Sequence, residues 1–407
     1  MSGRKHLFLA LSRKGWGETT LGLTVARQVR DAGDTVSFMA HSGSMPALAG
    51  SGFEVQEIPD HALPLIQVWL DDCVANDNLS SLVLSDFLTT NYTLTRFGLD
   101  PERILDYDLP IIAIDTWQYA LTGSTVDVYG AEQWNIGTWI EKVDRRLVPV
   151  PIGHPASQGA YRSLPPAASV ASSVRRHIRA NLGLKNTDRA VLFCTAGWQH
   201  DKPDAEGRRI GAAVPKLLWQ YLENIGPEVR LIHVGPAPLM LEGAGDRYLW
   251  MPAVTPDNFA RLVGSVDLFL SLNISATTIG AAIAAGVPVL VVRNSRTVAT
   301  ADDVGSVAAN GGSASLRSWL TEALPLFPFA VWPLGFQRFL APLLAHNPYA
   351  GALHVVELLD ETAFANIART LLFDAACREE AVGRQNAYAA DVHRLPSAAE
   401  RFGAYLQ

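Results

Sequence analysis

Apolar residues in the first third of the chain come in short runs, separated by stretches with helical spacing. His6 to Leu11 forms the first run and predicts a strand. A turn around Lys14-Gly15-Trp16-Gly17 follows, then Thr19 to Ala32. There Leu21, Val25 and Val29 recur every fourth residue and so share one helix face. Gly33 stands where a helix needs a left-handed end residue. Thr35 to Met39, Phe53 to Ile58, Leu82 to Leu84 and Ile111 to Ile114 predict further strands. Strands alternating with helices imply a parallel sheet covered on both faces.

Prolines 149, 151, 155, 165 and 166 then crowd one window, which fits a boundary. The alternation restarts at Arg189. Strands are expected at Ala190–Cys194, Val229–Val234, Leu249–Val254, Val266–Leu272 and Val287–Val292. Helices are expected at Gly207–Tyr221, Asp257–Val263 and Thr277–Ala285. The Ala-, Gly-, Ser- and Asp-rich segment Ala299–Ser315 is expected to be a loop, and Glu361–Gln407 to be largely helical. The fold class expected is therefore α/β, with two Rossmann-like doubly wound parallel-sheet domains and a helical C-terminal tail. The expected bounds are 1–165, a linker at 166–188, a second domain at 189–375 and a tail at 376–407.

Composition narrows the function. Of 407 residues, 48% are hydrophobic and 18% charged, enough for full cores. A net charge of -7 argues against a nucleic-acid partner. Three distant cysteines, Cys73, Cys194 and Cys377, form no C-x-x-C pair, which points to a reducing, cytoplasmic compartment. Apolar runs fall short of the ~20 residues that span a bilayer, so no membrane span is expected. No metal motif and no cofactor fingerprint stand out.

The richest segment is the apolar run Val266–Leu272, the polar turn Asn273-Ile274-Ser275-Ala276-Thr277-Thr278, a small-residue helix, and Gly286-Val287-Pro288. Hydroxyls and free N–H groups gather at that helix start, where the dipole favours an anion. Ser275 or Thr277 could equally serve as a simple cap. This strand, turn, helix and Gly-Val-Pro sequence resembles the donor-binding half of GT-B glycosyltransferases. The resemblance implies two domains facing a cleft, with a nucleotide diphosphate at this helix start. Asn273 then falls where many members carry a histidine, and Ala281 where many carry a ribose-binding glutamate. Asn273, Ser275, Thr277 and Thr278 become donor-binding candidates. Thr195, Gly197, Trp198 and Gln199, after the first strand of the second domain, also face the diphosphate by the resemblance. The strand ends His233-Val234-Gly235 and Pro252-Ala253-Val254 border the base by the resemblance, with Val254 a candidate backbone contact.

In the first domain, Lys14 to Thr20 resembles a deviant P-loop, but Glu18 stands where a phosphate-neutralising lysine is needed. Some GT-B enzymes carry Gly-Asp in this loop with the aspartate as base, and Gly17-Glu18 resembles that pair. Glu18 can also simply complement the helix dipole. Asp115 ends a strand at the edge where parallel sheets bind ligands and is the other candidate base. Ser85-Asp86 ends a third strand and is a weaker candidate. Trp16, Trp117, Tyr119 and Trp134 are acceptor-binding candidates, since aromatic faces suit flat or sugar rings.

The expected function is metal-independent transfer of a sugar, of hexosyltransferase type. The donor would be a UDP- or dTDP-type nucleotide sugar, the acceptor a small molecule, and the protein a monomer or homodimer. The alternatives are a non-catalytic GT-B-like auxiliary protein and a nucleotide-sugar epimerase.

Overall fold

The computed structural model describes residues 3–14, 16–130, 133–168, 170–200, 205–309 and 312–407. Gly15 of the first turn therefore lies outside the described residues. The chain divides into two compact units. Unit 1 holds Met1–Val126, Asn135–Ser163 and Asp391–Gln407; unit 2 holds Asp127–Trp134 and Leu164–Ala390.

In unit 1 the strands are β1 (Lys5–Ala10), β2 (Thr35–His41), β3 (Glu54–Ile58), β4 (Ser81–Leu84) and β5 (Ile111–Ile114). Two short strands, β6 (Thr125–Asp127) and β7 (Gln133–Asn135), pair with each other, and β8 (Arg145–Val150) and β9 (Ala160–Arg162) complete the main sheet. Its order is β3-β2-β1-β4-β5-β8-β9, with every recorded pair parallel. Every residue of β4 and β5 is buried, because helices cover both faces. The predicted stripe Leu21, Val25 and Val29 is the buried face of the helix Gly17–Asp31. Gly33 closes that helix with φ of 104°, a left-handed backbone that costs an L-residue roughly 1–2 kcal/mol.

Unit 2 repeats the plan. Its strands are β10 (Arg189–Cys194), β11 (Val229–Val234), β12 (Tyr248–Met251), β13 (Leu268–Ser271), β14 (Val289–Arg293) and β15 (His354–Glu357). They are ordered β12-β11-β10-β13-β14-β15, all parallel. Both sheets therefore run outward in opposite directions from their first strand, the doubly wound arrangement expected from the alternating pattern.

Three stretches differ from expectation. Ala299–Ser315 contains two helices, Ala301–Ala309 and the start of Ala314–Ala323, instead of a loop. Alanine favours helix, and Asp303 accepts the Ala299 and Thr300 N–H groups at the entry to the first. The expected linker contains the helix Ser172–Asn181. Arg175 and Arg179 tie that helix to Asp267 at 2.7 and 3.1 Å, which makes it part of unit 2. The tail is helical as expected, with Glu361–Phe373, Ala375–His393 and Ala398–Ala404, but it is shared between the units. Ser397 and Glu400 form a capping box at the last helix. Phe402 is buried there, with its ring 4.9 Å from His6 and 6.4 Å from Phe8 of β1.

Candidate functional site

In a doubly wound sheet, the connections leaving the two strands at the reversal pass to opposite faces, and the loops at their carboxyl ends frame a crevice. In unit 1 these strands are β1 and β4. The segment after β1 reaches Trp16 and Glu18. Trp16 precedes the helix and turns its indole away to the loop after β2, donating to the Gly43 carbonyl at 3.2 Å. Glu18 is the second helical residue, half-buried beside Ser12. Burial pushes its carboxyl above the ordinary range, and Ser12 partly offsets this.

After β4 comes Asp86, only 2% exposed. Its Oδ2 accepts the Thr89 N–H at 2.7 Å and so caps the helix Phe87–Arg96. After β5 comes Asp115, 1% exposed, whose Oδ1 accepts the Tyr119 N–H at 3.2 Å and whose Oδ2 lies 3.9 Å from Arg146. Burial pushes Asp115 up to about 6, with Tyr119 and Arg146 pulling the other way. Asp86 is pushed up to about 7, by burial first and then by the charges of Glu18 and Asp115. The Tyr119 hydroxyl is raised by burial and by all three carboxyls. Glu18, Asp86, Asp115 and Tyr119 thus form one electrostatic cluster at the carboxyl edge of the sheet.

Other aromatic candidates lie around it. Trp117 and Tyr119 are buried, and Phe87 meets Tyr119 at 5.1 Å and Trp139 at 4.4 Å. Gln118, between Trp117 and Tyr119, has φ of 48°, a left-handed backbone in a residue other than glycine. Trp134 is half-buried on β7 and falls in unit 2.

In unit 2 the reversal lies between β10 and β13. After β10, Thr195 Oγ1 lies 2.8 Å from His200 Nε2 and 2.8 Å from His233 Nε2. His233 Nδ1 meets the Tyr248 hydroxyl at 2.9 Å, and that oxygen accepts the Leu239 N–H. The result is a chain Tyr248–His233–Thr195–His200. Burial holds His233 down to about 4, so its imidazole is neutral at pH 7. Gly235 leaves room for the chain, since a Cβ there would sit 2.2 Å from Thr195 Oγ1. Gly197 and Trp198 are half-buried in the short helix Gly197–His200. Gln199 is buried and braces the loop, its amide bonded to Ala196 N–H at 2.6 Å and the Trp332 carbonyl at 2.9 Å.

After β13, Asn273 Oδ1 accepts the Ser275 N–H at 2.9 Å and its hydroxyl at 2.7 Å. This Asx-turn sets the entry to the helix Thr277–Ala284. The residue in the cap position is Ala276, and no side chain caps that helix. Thr277 and Thr278 are half-buried on its first turn. Donor candidates after β10 and after β13 therefore share one edge of adjacent strands. Val254 is half-buried just beyond β12, two strands from β10's other side of the edge.

Sequence reasoning ranked Asp86 low, gave His233 only as part of a strand end bordering the base, and omitted His200, Tyr248 and Arg146. Tyr248 and Arg146 meet partners remote in sequence, whereas His200 stands five residues after Thr195. Among the described residues, no group of three or more His, Cys, Asp or Glu is set to hold a metal ion. No helix among them is long and apolar enough to cross a membrane.

A family model described as a family of unknown function (DUF6365) matches residues 25–407. No curated protein matches the chain by sequence. Solved structures are similar over nearly their whole length. The spinosyn rhamnosyltransferase SpnG has a TM-score of 0.55 at 11% identity, over 98% of this chain and 99% of that one. The Anabaena protein HepE, solved with UDP-glucose, gives 0.56 at 14% identity, over 98% of each. The glycosyltransferase VinC, solved with DTDP, gives 0.53 at 14%, over 99% and 98%. The likeness at these identities is one of fold, and the chain has the GT-B fold.

Proposed function

The chain belongs to the DUF6365 family, and we propose that it works as a glycosyltransferase, moving a sugar from a UDP- or dTDP-type nucleotide sugar to a small-molecule acceptor. The observation that carries the reading is the helix start at Thr277–Thr278. It lies at the sheet reversal of unit 2, bears two hydroxyls and has no side-chain cap. Its N–H groups are suited to an anion, and a leaving nucleotide diphosphate is one. The Thr195–Gln199 loop on the neighbouring strand would flank the same anion. Similar folds solved with UDP-glucose and with DTDP support this choice of ligand.

Unit 1 would hold the acceptor, and its carboxyl cluster would supply the base. Glu18 or Asp115 takes the proton of an acceptor hydroxyl as its oxygen attacks the sugar. Raised proton affinity suits both to that work. Charge on the departing diphosphate is met by helix N–H groups and hydroxyls, so the reaction is expected to run without a divalent metal.

The first experiment is thermal denaturation with UDP, dTDP and their sugars. At least one should raise the melting temperature; if none does, the donor assignment fails. Glu18→Gln and Asp115→Asn should keep that shift, and at least one should abolish sugar transfer.

A further inference from the structure

Asp86 caps a helix and also stands within the electrostatic cluster of unit 1. Strands β1 and β4 are hydrogen-bonded in parallel with Leu9 opposite Leu84, so the segments leaving them start side by side. Gly22 of the helix after β1 lies directly on Ser85, where a Cβ would come within 2.5 Å of its Oγ. Glu18 sits one turn earlier on that same helix face. That sets Glu18 near the end of β4, where Asp86 follows Ser85, and its charge acts on Asp86.

Asp86 Oδ2 is committed to the Thr89 N–H. Its Oδ1 is buried and has no hydrogen-bond partner among the described residues. An oxygen that accepts an N–H stays unprotonated, so the proton of a neutral Asp86 belongs on Oδ1. The groups facing Asp86 are Glu18 from the helix after β1, and Asp115 and Tyr119 from the end of β5. Arg146 of β8 is directed to Asp115, and Ser12 to Glu18.

We propose that Glu18 and Asp86 act as a coupled carboxyl pair, in which the charge on Asp86 makes Glu18 the stronger base. This rests on the reading of unit 1 as the acceptor half with Glu18 as base. Two neighbouring carboxylates resist ionising together. Asp86 is pushed up to about 7, by burial first and then by the charge of Glu18. Once Asp86 is ionised, its charge raises the proton affinity of Glu18. In the transfer step the acceptor O–H bond breaks and its proton goes to the Glu18 carboxylate. The oxygen's electron pair forms the bond to the anomeric carbon. The bond from that carbon to the diphosphate breaks, and its electron pair leaves with the nucleotide. Asp86 exchanges no atom and is a positioning residue.

The test needs no substrate. In the full chain labelled with carboxyl-¹³C aspartate, the Asp86 signal is identified by its loss in Asp86→Asn, where asparagine keeps the helix cap. Its midpoint is expected near pH 7 and should fall by about one unit or more in Glu18→Gln, as removal of a neighbouring charge requires. An unchanged midpoint in Glu18→Gln, repeated in Glu18→Ala, overturns the pair. A second readout is the pH profile of transfer. Its rise through pH 7 should flatten in Asp86→Asn while nucleotide affinity is unchanged; a profile that keeps its rise also overturns the proposal. A moving midpoint with no UDP or dTDP binding overturns the base role alone, through failure of the parent reading.

Discussion

Replacing Thr277 by aspartate would place a carboxylate on the first turn of the uncapped helix Thr277–Ala284. Two effects of opposite sign follow. For the fold, an acid in the first turn complements the helix dipole and adds about 0.3–1 kcal/mol. Thr277 is half-buried, so the new side chain keeps access to water. For a bound diphosphate, the same acid is a like charge at contact range. At ~5 Å and an effective dielectric of ~20, one pair of unit charges repels by about 3 kcal/mol. That weakens binding by roughly a hundredfold or more. Thr277→Val removes only the hydroxyl and should cost about 1 kcal/mol, some fivefold. Calorimetric titration with UDP and dTDP measures the affinities, and a thermal melt of the free protein reports the fold. The expected outcome is a melting temperature equal to or above wild type, together with lost nucleotide binding in Thr277→Asp. Binding within about threefold of wild type would refute the assignment of the diphosphate to this helix.

Three other outcomes follow. Asp115 and Asp86 hold their protons to about pH 6 and 7 in the folded chain, against about 3.9 unfolded. The folded state therefore binds more protons between those values, so unit 1 should lose stability as pH rises from about 4 through 7. Melts across that range should show the decline, and Asp86→Asn should flatten its upper part. Phe402→Ala should cost about 3–5 kcal/mol in denaturant unfolding, because the ring is buried against His6 and Phe8. Gly235→Ala would drive a Cβ to within 2.2 Å of Thr195 Oγ1 and 2.6 Å of His233 Nε2. It should weaken nucleotide binding at least tenfold in the same calorimetric titration, while a reagent that chelates divalent metals should leave wild-type binding and transfer unchanged.

How much of this was legible in the sequence depended on the range of the interaction. The stripe Leu21, Val25 and Val29 is local, and it marked its helix face correctly. The run Val266–Leu272, its polar turn and Gly286 are also local, and strand, turn and helix follow in that order. Ala299–Ser315 misled because Gly, Ser and Asp suggested a loop, whereas Asp303 uses its carboxylate to start a helix. Placement of the last helix was not legible. It depends on Phe402 reaching β1 almost four hundred residues earlier, which no periodicity encodes. The same limit kept Asp86 a weaker candidate: the charges that act on it, Glu18 and Asp115, are brought near it by strand order.

The two sheet edges share one topology but differ in charge, and that difference supports the roles proposed for them. In unit 1 the helix start after β1 already carries an acid, Glu18, with Asp86 and Asp115 on the next strand ends. A diphosphate there would meet like charges, whereas an acceptor hydroxyl would meet a base. In unit 2 the helix start after β13 carries two neutral threonines behind an alanine cap, with a neutral imidazole on β11. An anion there meets N–H dipoles and hydroxyls and no carboxylate on that turn. Exchanging the charges should exchange the preference only in part. Glu18→Gln removes the repulsion in unit 1 but leaves Asp86 and Asp115 in place, so it should gain no nucleotide affinity. By contrast, a single acid at Thr277 should be enough to lose it.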